Sequence, residues 1–290
     1  MHILFSLPVH ENNELIRLTI ANAQQHTKTC TIVLHVSDQF KGFDETIADI
    51  PGVLINPKRY VTKHGFSFLN LHVTNYAHAA ACGVPFKVFC TLHTSEMFVK
   101  RGVEKHIAKH PYSLWYDRKL MPQGLDWHPM NCVRRFGVFN DTLPDESWYL
   151  GGIVEGTWMS RDIMSKIYAW ATDRIWVLRE NDADWAVEEI VLPTMANWFG
   201  GDQACGEPYN AYFHDPSTMS SITVSDIDDV IAGRPVKLWS ANFFNNGGID
   251  WMSDGATKYS VKRLPNDIND PLRQHIIRLT GLDLHAILGQ

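Results

Sequence analysis

The sequence predicts an α/β fold with a mixed, mostly parallel central sheet and helices on both of its faces. Three observations carry this. From Met1 to Lys100, short apolar runs rich in β-branched residues alternate with segments of helical spacing. Most of those runs end in polar residues, as buried strands do, and none has the length needed to cross a bilayer.

The first run, "HILFSLPVH" (His2 to His10), is followed by "ENNELIRLTIANAQQH", which places Leu15, Leu18, Ile20 and Ala23 near helical spacing. "TCTIVLHVSD" (Thr29 to Asp38) then reads as a buried strand and completes a strand, helix, strand unit. "GVLINPKRY" (Gly52 to Tyr60) repeats the strand signal. "FSFLNLHVTNYAHAAACG" reads as a helix stopped at Gly83, and "FKVFCTLHTSEMF" (Phe86 to Phe98) as one further buried strand with a polar exit at His93 to Glu96.

Pro111 to Trp148 is rich in Pro, Trp and Arg with little periodicity, and reads as long loops and short strands. "MSRDIMSKIYAWATDRIWVL" regains helical spacing from Ser160 as N-cap, and Asp270 to Leu288 reads as closing helices. No internal repeat or low-complexity linker interrupts the chain, so a single domain over residues 1–290 is expected.

The composition of 290 residues, 45% of them apolar, suits one large core. A formal charge of −6 without long blocks of either sign gives no reason to expect nucleic acid or an anionic membrane as partner, although a local basic cleft stays open. The five cysteines (Cys30, Cys82, Cys90, Cys132, Cys205) are odd in number and widely spaced, so they read as free, buried thiols in a reducing compartment. The short apolar start lacks the features of a signal peptide, and the expected location is the cytoplasm, with docking at the inner membrane face left open.

In a parallel sheet, ligands bind outside the carboxyl ends of the strands, so the exits "PVHEN", "HVSD", "NPKRY" and "HTSE" are the first places to look. There is no G-x-G-x-x-G, P-loop or G-x-S-x-G. "HIAKH" (His106, His110) has the spacing of a zinc pair but lacks the Glu of a metalloprotease motif, and reads as solvent-facing. The triplets "DAD" (Asp182 to Asp184) and "DID" (Asp226 to Asp228) do not follow buried strand exits, and the second sits at a helix start after Ser225, where acids are favoured electrostatically. No metal site is assigned.

Several segments, in order along most of the chain, resemble the core-2/I-branching β-1,6-N-acetylglucosaminyltransferase family and its peptide xylosyltransferase relatives. "FSLPVHEN" is similar to the family's opening strand, and "VLHVSD" to its "VHVD" strand end with Ser37 inserted. "KHGFSFLNLHVTNYAHA" resembles the "W-G-x-x-S-x-V-x-A" helix, with Phe66 replacing the Trp, and "TLHTSEMFVK" resembles "L-S-G-x-D-F-P-L-K", with Glu96 replacing the Asp. "GTWMSRDI" is similar to "G-S-x-W-x-x-S-R-E", "WAVEEIVLPTM" to "S-P-D-E-x-x-x-x-T", and "NNGGIDWM…YSVKR" to "G-x-x-x-W-M…F-A-x-K-F".

The resemblance implies a GT-A-type (Rossmann-like) glycosyltransferase domain, inverting and metal-independent, with residues 1–110 as nucleotide-binding half and 111–290 as acceptor and catalytic half. It places Glu189 on the catalytic base, with Glu188 as its rival because the preceding Pro and Asp are absent, and Lys262 on the Lys that neutralises the diphosphate. His10 and Asp38 fall on the nucleoside side, and Glu96 and Trp158 on the acceptor side. The implied substrates are a nucleotide sugar, a UDP-sugar by this reading, and a hydroxyl of a glycan or glycoconjugate; transfer would be of hexosyl or N-acetylhexosaminyl type, with no cofactor. The alternatives are the same chemistry on a modified base in DNA, and a non-catalytic carbohydrate- or nucleotide-binding protein of this fold.

The chemistry has its own requirements. Inverting transfer needs one carboxylate to take the acceptor's proton, and a Glu set among Trp185, Val187, Ile190 and Val191 is partly desolvated and so a stronger base. In a helix, Glu188 and Glu189 point about 100° apart, so one can face a cleft while the other does not. A diphosphate leaving without metal needs fixed cations, and "KYSVKR" offers Lys258, Lys262 and Arg263 while "RPVK" adds Arg234 and Lys237. Trp115, Trp127, Trp148 and Trp158 are candidate sugar-stacking rings.

Overall fold

The computed structural model of the protein describes residues 1–62, 66–115, 128–174, 187–201, 205–212, 222–238 and 251–289. Its first part alternates as expected: β1 (Ile3–Val9), α1 (Asn13–His26), β2 (Cys30–Val36), β3 (Val53–Ile55), α2 (Phe66–Ala81) and β4 (Val88–Thr91). After these come β5 (Glu96–Phe98), α3 (Val103–Ile107), β6 (Tyr112–Ser113) and α4 (His128–Arg135). Next are β7 (Trp158–Ser160), α5 (Arg161–Asp173), α6 (Glu188–Gly200), β8 (Cys205–Gly206) and β9 (Asn210–Tyr212). The chain closes with α7 (Val224–Ala232), β10 (Pro235–Leu238), β11 (Trp251–Asp254), β12 (Ser260–Lys262), α8 (Pro271–Thr280) and α9 (Leu284–Leu288).

The central sheet has the order β3-β2-β1-β4-β7-β6-β8. Strands β3, β2, β1 and β4 are parallel, β7 is antiparallel to both β4 and β6, and β8 runs parallel to β6. This is the mixed, mostly parallel α/β sheet expected from the sequence. Strand β1 is buried throughout because successive side chains point to opposite faces and both faces are covered. Leu4 packs with Val33, Leu69, Val73 and Phe89 in one core, while Ile3, Phe5, Leu7 and Val9 pack with Ile16, Ile20, Ile32 and Leu34 in the other.

Three expectations are corrected here. The run Phe86 to Phe98 is two strands, because the chain turns at His93 to Ser95, where Glu96 N donates to His93 O at 3.0 Å. Strand β4 stays in the central sheet, while β5 enters a second sheet, β5-β12-β9, in which β12 is antiparallel to β5 and parallel to β9. The stretch expected as loops contains helix α4, in which Met130, Cys132 and Val133 are buried, too few apolar positions to show a period. All five cysteines are free as read, but only Cys90 and Cys132 are buried: Cys30 and Cys205 are half-buried, and Cys82 is exposed, since it lies beyond the end of α2 beside Gly83 with φ 71°. No helix among the described residues is long and apolar enough to cross a membrane.

Strand β5 is anchored to α1 by one side chain. Buried Asn22 donates from Nδ2 to Phe98 O at 2.9 Å and accepts from Phe98 N at 2.6 Å, so it pairs both backbone groups as a neighbouring strand would. Asn22→Leu strips the partners from a buried N–H and a buried carbonyl, and a loss of about 2–4 kcal/mol in unfolding free energy is expected from chemical denaturation.

Candidate active site at the carboxyl ends of the strands

Strands β1, β2 and β4 all end at one edge of the sheet. After β1, His10 lies exposed, with its ring 6.4 Å from that of His93 beyond β4. Its neighbour Glu11 accepts from Asn266 Nδ2 at 2.8 Å, which draws the segment after β12 to the same edge. Lys262 is the last residue of β12, opposite Glu96 in β5.

The turn after Lys262 is held from two sides. Leu264 N donates to Ser95 O at 3.0 Å. Fully buried Arg273 of α8 donates from Nε to Pro265 O at 2.5 Å and from Nη2 to Thr94 O at 2.8 Å. Between them Arg263 is exposed at φ 77°, a left-handed backbone that a side chain normally avoids. Such an outlier persists only where its surroundings fix it, and it is a pointer to function.

The partner of Lys262 is Glu155, in the loop "GGIVEGTW" before β7. Their side chains form an ion pair in which the Lys262 side chain is only 4% exposed and that of Glu155 24%. The loop is fixed at almost every residue. Val154 O accepts from the hydroxyls of Thr91 and Thr157, Glu155 O from Trp115 Nε1 at 2.9 Å, and Gly156 O from Tyr209 N at 3.0 Å. Gly156 has φ 72°, and a Cβ there would lie 2.0 Å from the Asn210 side chain, so no other residue fits.

The same loop grips α6 through a proline. Pro193 has no N–H to give the carbonyl of Glu189 one turn earlier, and Gly152 N takes that acceptor instead at 2.8 Å. Thr194 adds a reciprocal pair with Leu150, accepting from its N at 2.9 Å and donating to its O at 3.1 Å. Glu188 and Glu189 therefore start α6 directly beside the loop that carries Glu155.

Four carboxyl groups respond differently to this setting. Burial pushes Glu189 up to about 8, and the Glu155 charge adds to it, against Lys262 and Arg263. Glu188 is pushed well above the ordinary range by burial and by Glu189, and its Oε2 has no hydrogen-bond partner among the described residues. Fully buried Glu96 accepts from Ser260 Oγ at 2.5 Å and is pushed up to about 8, chiefly by burial. Burial would raise Glu155 as well, but Lys262 and His93 override it and hold the carboxyl down at about 2. His93, whose Nδ1 accepts from Ser95 N at 3.1 Å, is kept neutral by burial and then by Lys262, with its value lowered to about 3.

The expected site residues are thus partly assembled. Glu189, Lys262 and Arg263 come within electrostatic reach of one another, His10 lies at the rim, and Asp38 is exposed after β2, its N donating to Tyr60 O at 3.1 Å. Glu96 and Trp158 are interior, at 0% and 1% exposure, so neither offers a surface to an acceptor. Trp158 donates from Nε1 to His110 O at 3.0 Å and packs on His106. Lys258 is buried against Glu207 at 2.8 Å and Arg234 pairs with Asp229, so neither joins the Lys262 cluster; Lys237 is in β10, with its side chain outside the described residues.

Other motifs resolve structurally. His106 is buried, its Nε2 2.7 Å from Glu207 O, and does not face solvent as expected. In "DID", Asp226 closes a capping box with Thr223, which is the N-cap in place of Ser225, and Asp228 meets His275 at 2.9 Å. Trp115 is half-buried against Glu155 O, Trp148 packs edge-on to Trp198 at 4.9 Å, and "DAD", Trp127 and Trp185 lie outside the described residues. Glu155 was missed, and its one sequence signal is an acid inside "GGIVEGTW", a loop of glycines and apolar residues.

No protein-family model matches this chain, and no curated protein sequence matches it. Among solved structures it is similar to the apo form of the glycosyltransferase GlyE of Streptococcus pneumoniae TIGR4, with a TM-score of 0.44 and 11% sequence identity. The match covers 99% of this chain and 62% of that one, so this chain spans less than two thirds of that protein's length. A likeness this distant says nothing of activity.

The site makes stability depend on pH in a definite direction. Buried His35 and His72 and half-buried His93, lowered to about 4, 3 and 3, bind fewer protons folded than unfolded below their ordinary value near 6.5, so their contribution to stability grows as pH rises toward that value. Glu96 and Glu189, raised from 4.5 to about 8, bind more protons folded between those values, so their contribution falls as pH rises through that range, and above about pH 6.5, where the histidines no longer oppose it, stability falls. Thermal unfolding followed across that window should show the fall, and Glu96→Gln should flatten it; an unchanged slope in the variant would refute the assignment.

Proposed function

We propose that this protein is a GT-A-type, inverting, metal-independent glycosyltransferase that moves a hexosyl or N-acetylhexosaminyl group from a UDP-sugar to a hydroxyl of a glycan or glycoconjugate. The observation that carries the reading is the meeting of Glu189, at the start of α6, with the Lys262 and Arg263 turn at the carboxyl edge of a parallel sheet. One element supplies a base and the other supplies cations for a leaving diphosphate.

In this reading the acceptor oxygen attacks the anomeric carbon as the bond from that carbon to the diphosphate oxygen breaks, and UDP departs with the electron pair. Glu189 takes the acceptor's proton. Lys262 and Arg263 offset the charge growing on the diphosphate. His10 and Asp38, at the exits of β1 and β2, are assigned to the nucleoside side. Glu189 is preferred to Glu188 as base because Glu189 feels Lys262 and Arg263, whereas Glu188 is turned into the interior.

Thermal-shift measurements should show stabilisation by UDP that survives EDTA and is lost in Lys262→Met. Glu189→Gln should keep that stabilisation while sugar transfer falls by about 100-fold or more. Since the base works as the carboxylate, the wild-type rate should rise with pH through about 8. Loss of transfer in Glu188→Gln with full activity in Glu189→Gln would overturn the choice of base, and no response to any nucleotide would overturn the reading.

A further inference from the structure

Glu155 takes no part in the chemistry just described, yet the loop that carries it is held at one residue after another. Val154, Glu155 and Gly156 each have their carbonyl bonded, from Thr91 and Thr157, Trp115 and Tyr209 respectively. Gly152 and Leu150 are fixed on α6, and the Glu155 carboxylate meets the Lys262 ammonium in direct contact. A carboxylate and a diphosphate oxygen present the same chemistry to an ammonium, an anionic acceptor at hydrogen-bonding distance.

We propose that Glu155 is a built-in placeholder for the donor's diphosphate: it occupies Lys262 while the site is empty and yields it when the diphosphate enters. This rests on the reading of Lys262 as the diphosphate holder. Lys262 is nearly buried, where an ammonium carries a large desolvation cost that the direct contact with an anion offsets. The partly exposed Glu155 can supply that anion without closing the site.

Exchange of one anion for another leaves a mark in protons. Among the described residues, the charged and titratable groups that act on Glu155 or feel it are Lys262, His93, Glu189, Glu188, Glu96 and His72. Once Lys262 turns to a diphosphate, Glu155 has lost its main stabilising cation and sits among carboxyls and an added anion. Its affinity for a proton rises, and binding takes up protons from solution.

Calorimetric titration with UDP near neutral pH, in two buffers of different ionisation enthalpy, tests this on the wild-type protein, with uridine as the probe lacking phosphate. UDP binding should be accompanied by proton uptake and uridine binding should not. Glu155→Gln removes the competing charge, so UDP should bind about tenfold tighter with the uptake diminished. UDP binding without uptake, or equal or weaker binding by Glu155→Gln, would overturn the placeholder while leaving the donor site standing. Should Glu155→Gln fail to fold, Glu155→Asp, which keeps the charge but shortens its reach, is expected to bind UDP more tightly than wild type, and weaker binding counts against the proposal. No UDP binding by wild type would sink the donor reading itself, and the placeholder with it.

Discussion

The ion pair between Glu155 and Lys262 is the contact on which the geometry of the site depends. It joins the end of β12 to the loop before β7, two segments that no strand pairing brings together. Removing one member of a buried pair typically costs about 3–5 kcal/mol because the other charge is left without compensation. The surrounding structure fixes the backbone on both sides of the pair. Lys262 is fixed by pairing with both β5 and β9, and Glu155 by the carbonyl bonds on either side of it.

That rigidity places more carboxyls than cations in one region, and proton occupancy resolves the imbalance. Near neutral pH Glu155 alone among Glu96, Glu155, Glu188 and Glu189 is driven firmly to the ionised form, because it alone touches the ammonium. The first turn of α6 offers Glu188 and Glu189 the positive end of a helix, which favours carboxylates, but burial outweighs it. A group held near its midpoint by opposing terms changes its charge when any neighbour changes. Glu189 is such a group: Glu155 pushes one way, and Lys262 and Arg263 push the other.

Much of the fold was legible in the sequence because period and composition report on burial. The strands around Leu4 and Ile32, the helix ending before Gly83 and the Ser160 N-cap all follow from local rules. The break between β4 and β5 was not legible, since Phe86 to Phe98 is apolar on both sides of a turn made by backbone and by Ser95 on His93. Half of the candidate site was legible as acids or cations in unexpected company, namely Glu188, Glu189, Lys262 and Arg263. Glu96, Lys258 and Trp158 misled for one common reason. Sequence shows that a residue can do chemistry, while only tertiary packing shows that Ser260, Glu207 and His110 O have already taken its polar group. Glu155 escaped because its significance lies in a contact more than a hundred residues away along the chain.

Arg263 shows what the arrangement gives up for its charges. A left-handed arginine costs on the order of 1–2 kcal/mol relative to ordinary backbone, and glycine in its place would relax that cost but carry no cation. The strain is offset locally by Leu264 on Ser95 and by Arg273, a fully buried arginine bonded to the carbonyls of Thr94 and Pro265. Arg273 thus ties the turn after β12 to the turn after β4, the two segments that bring Arg263 and His93 to one rim. A charge at the surface is thus carried on a backbone that a second, buried charge holds in place from beneath.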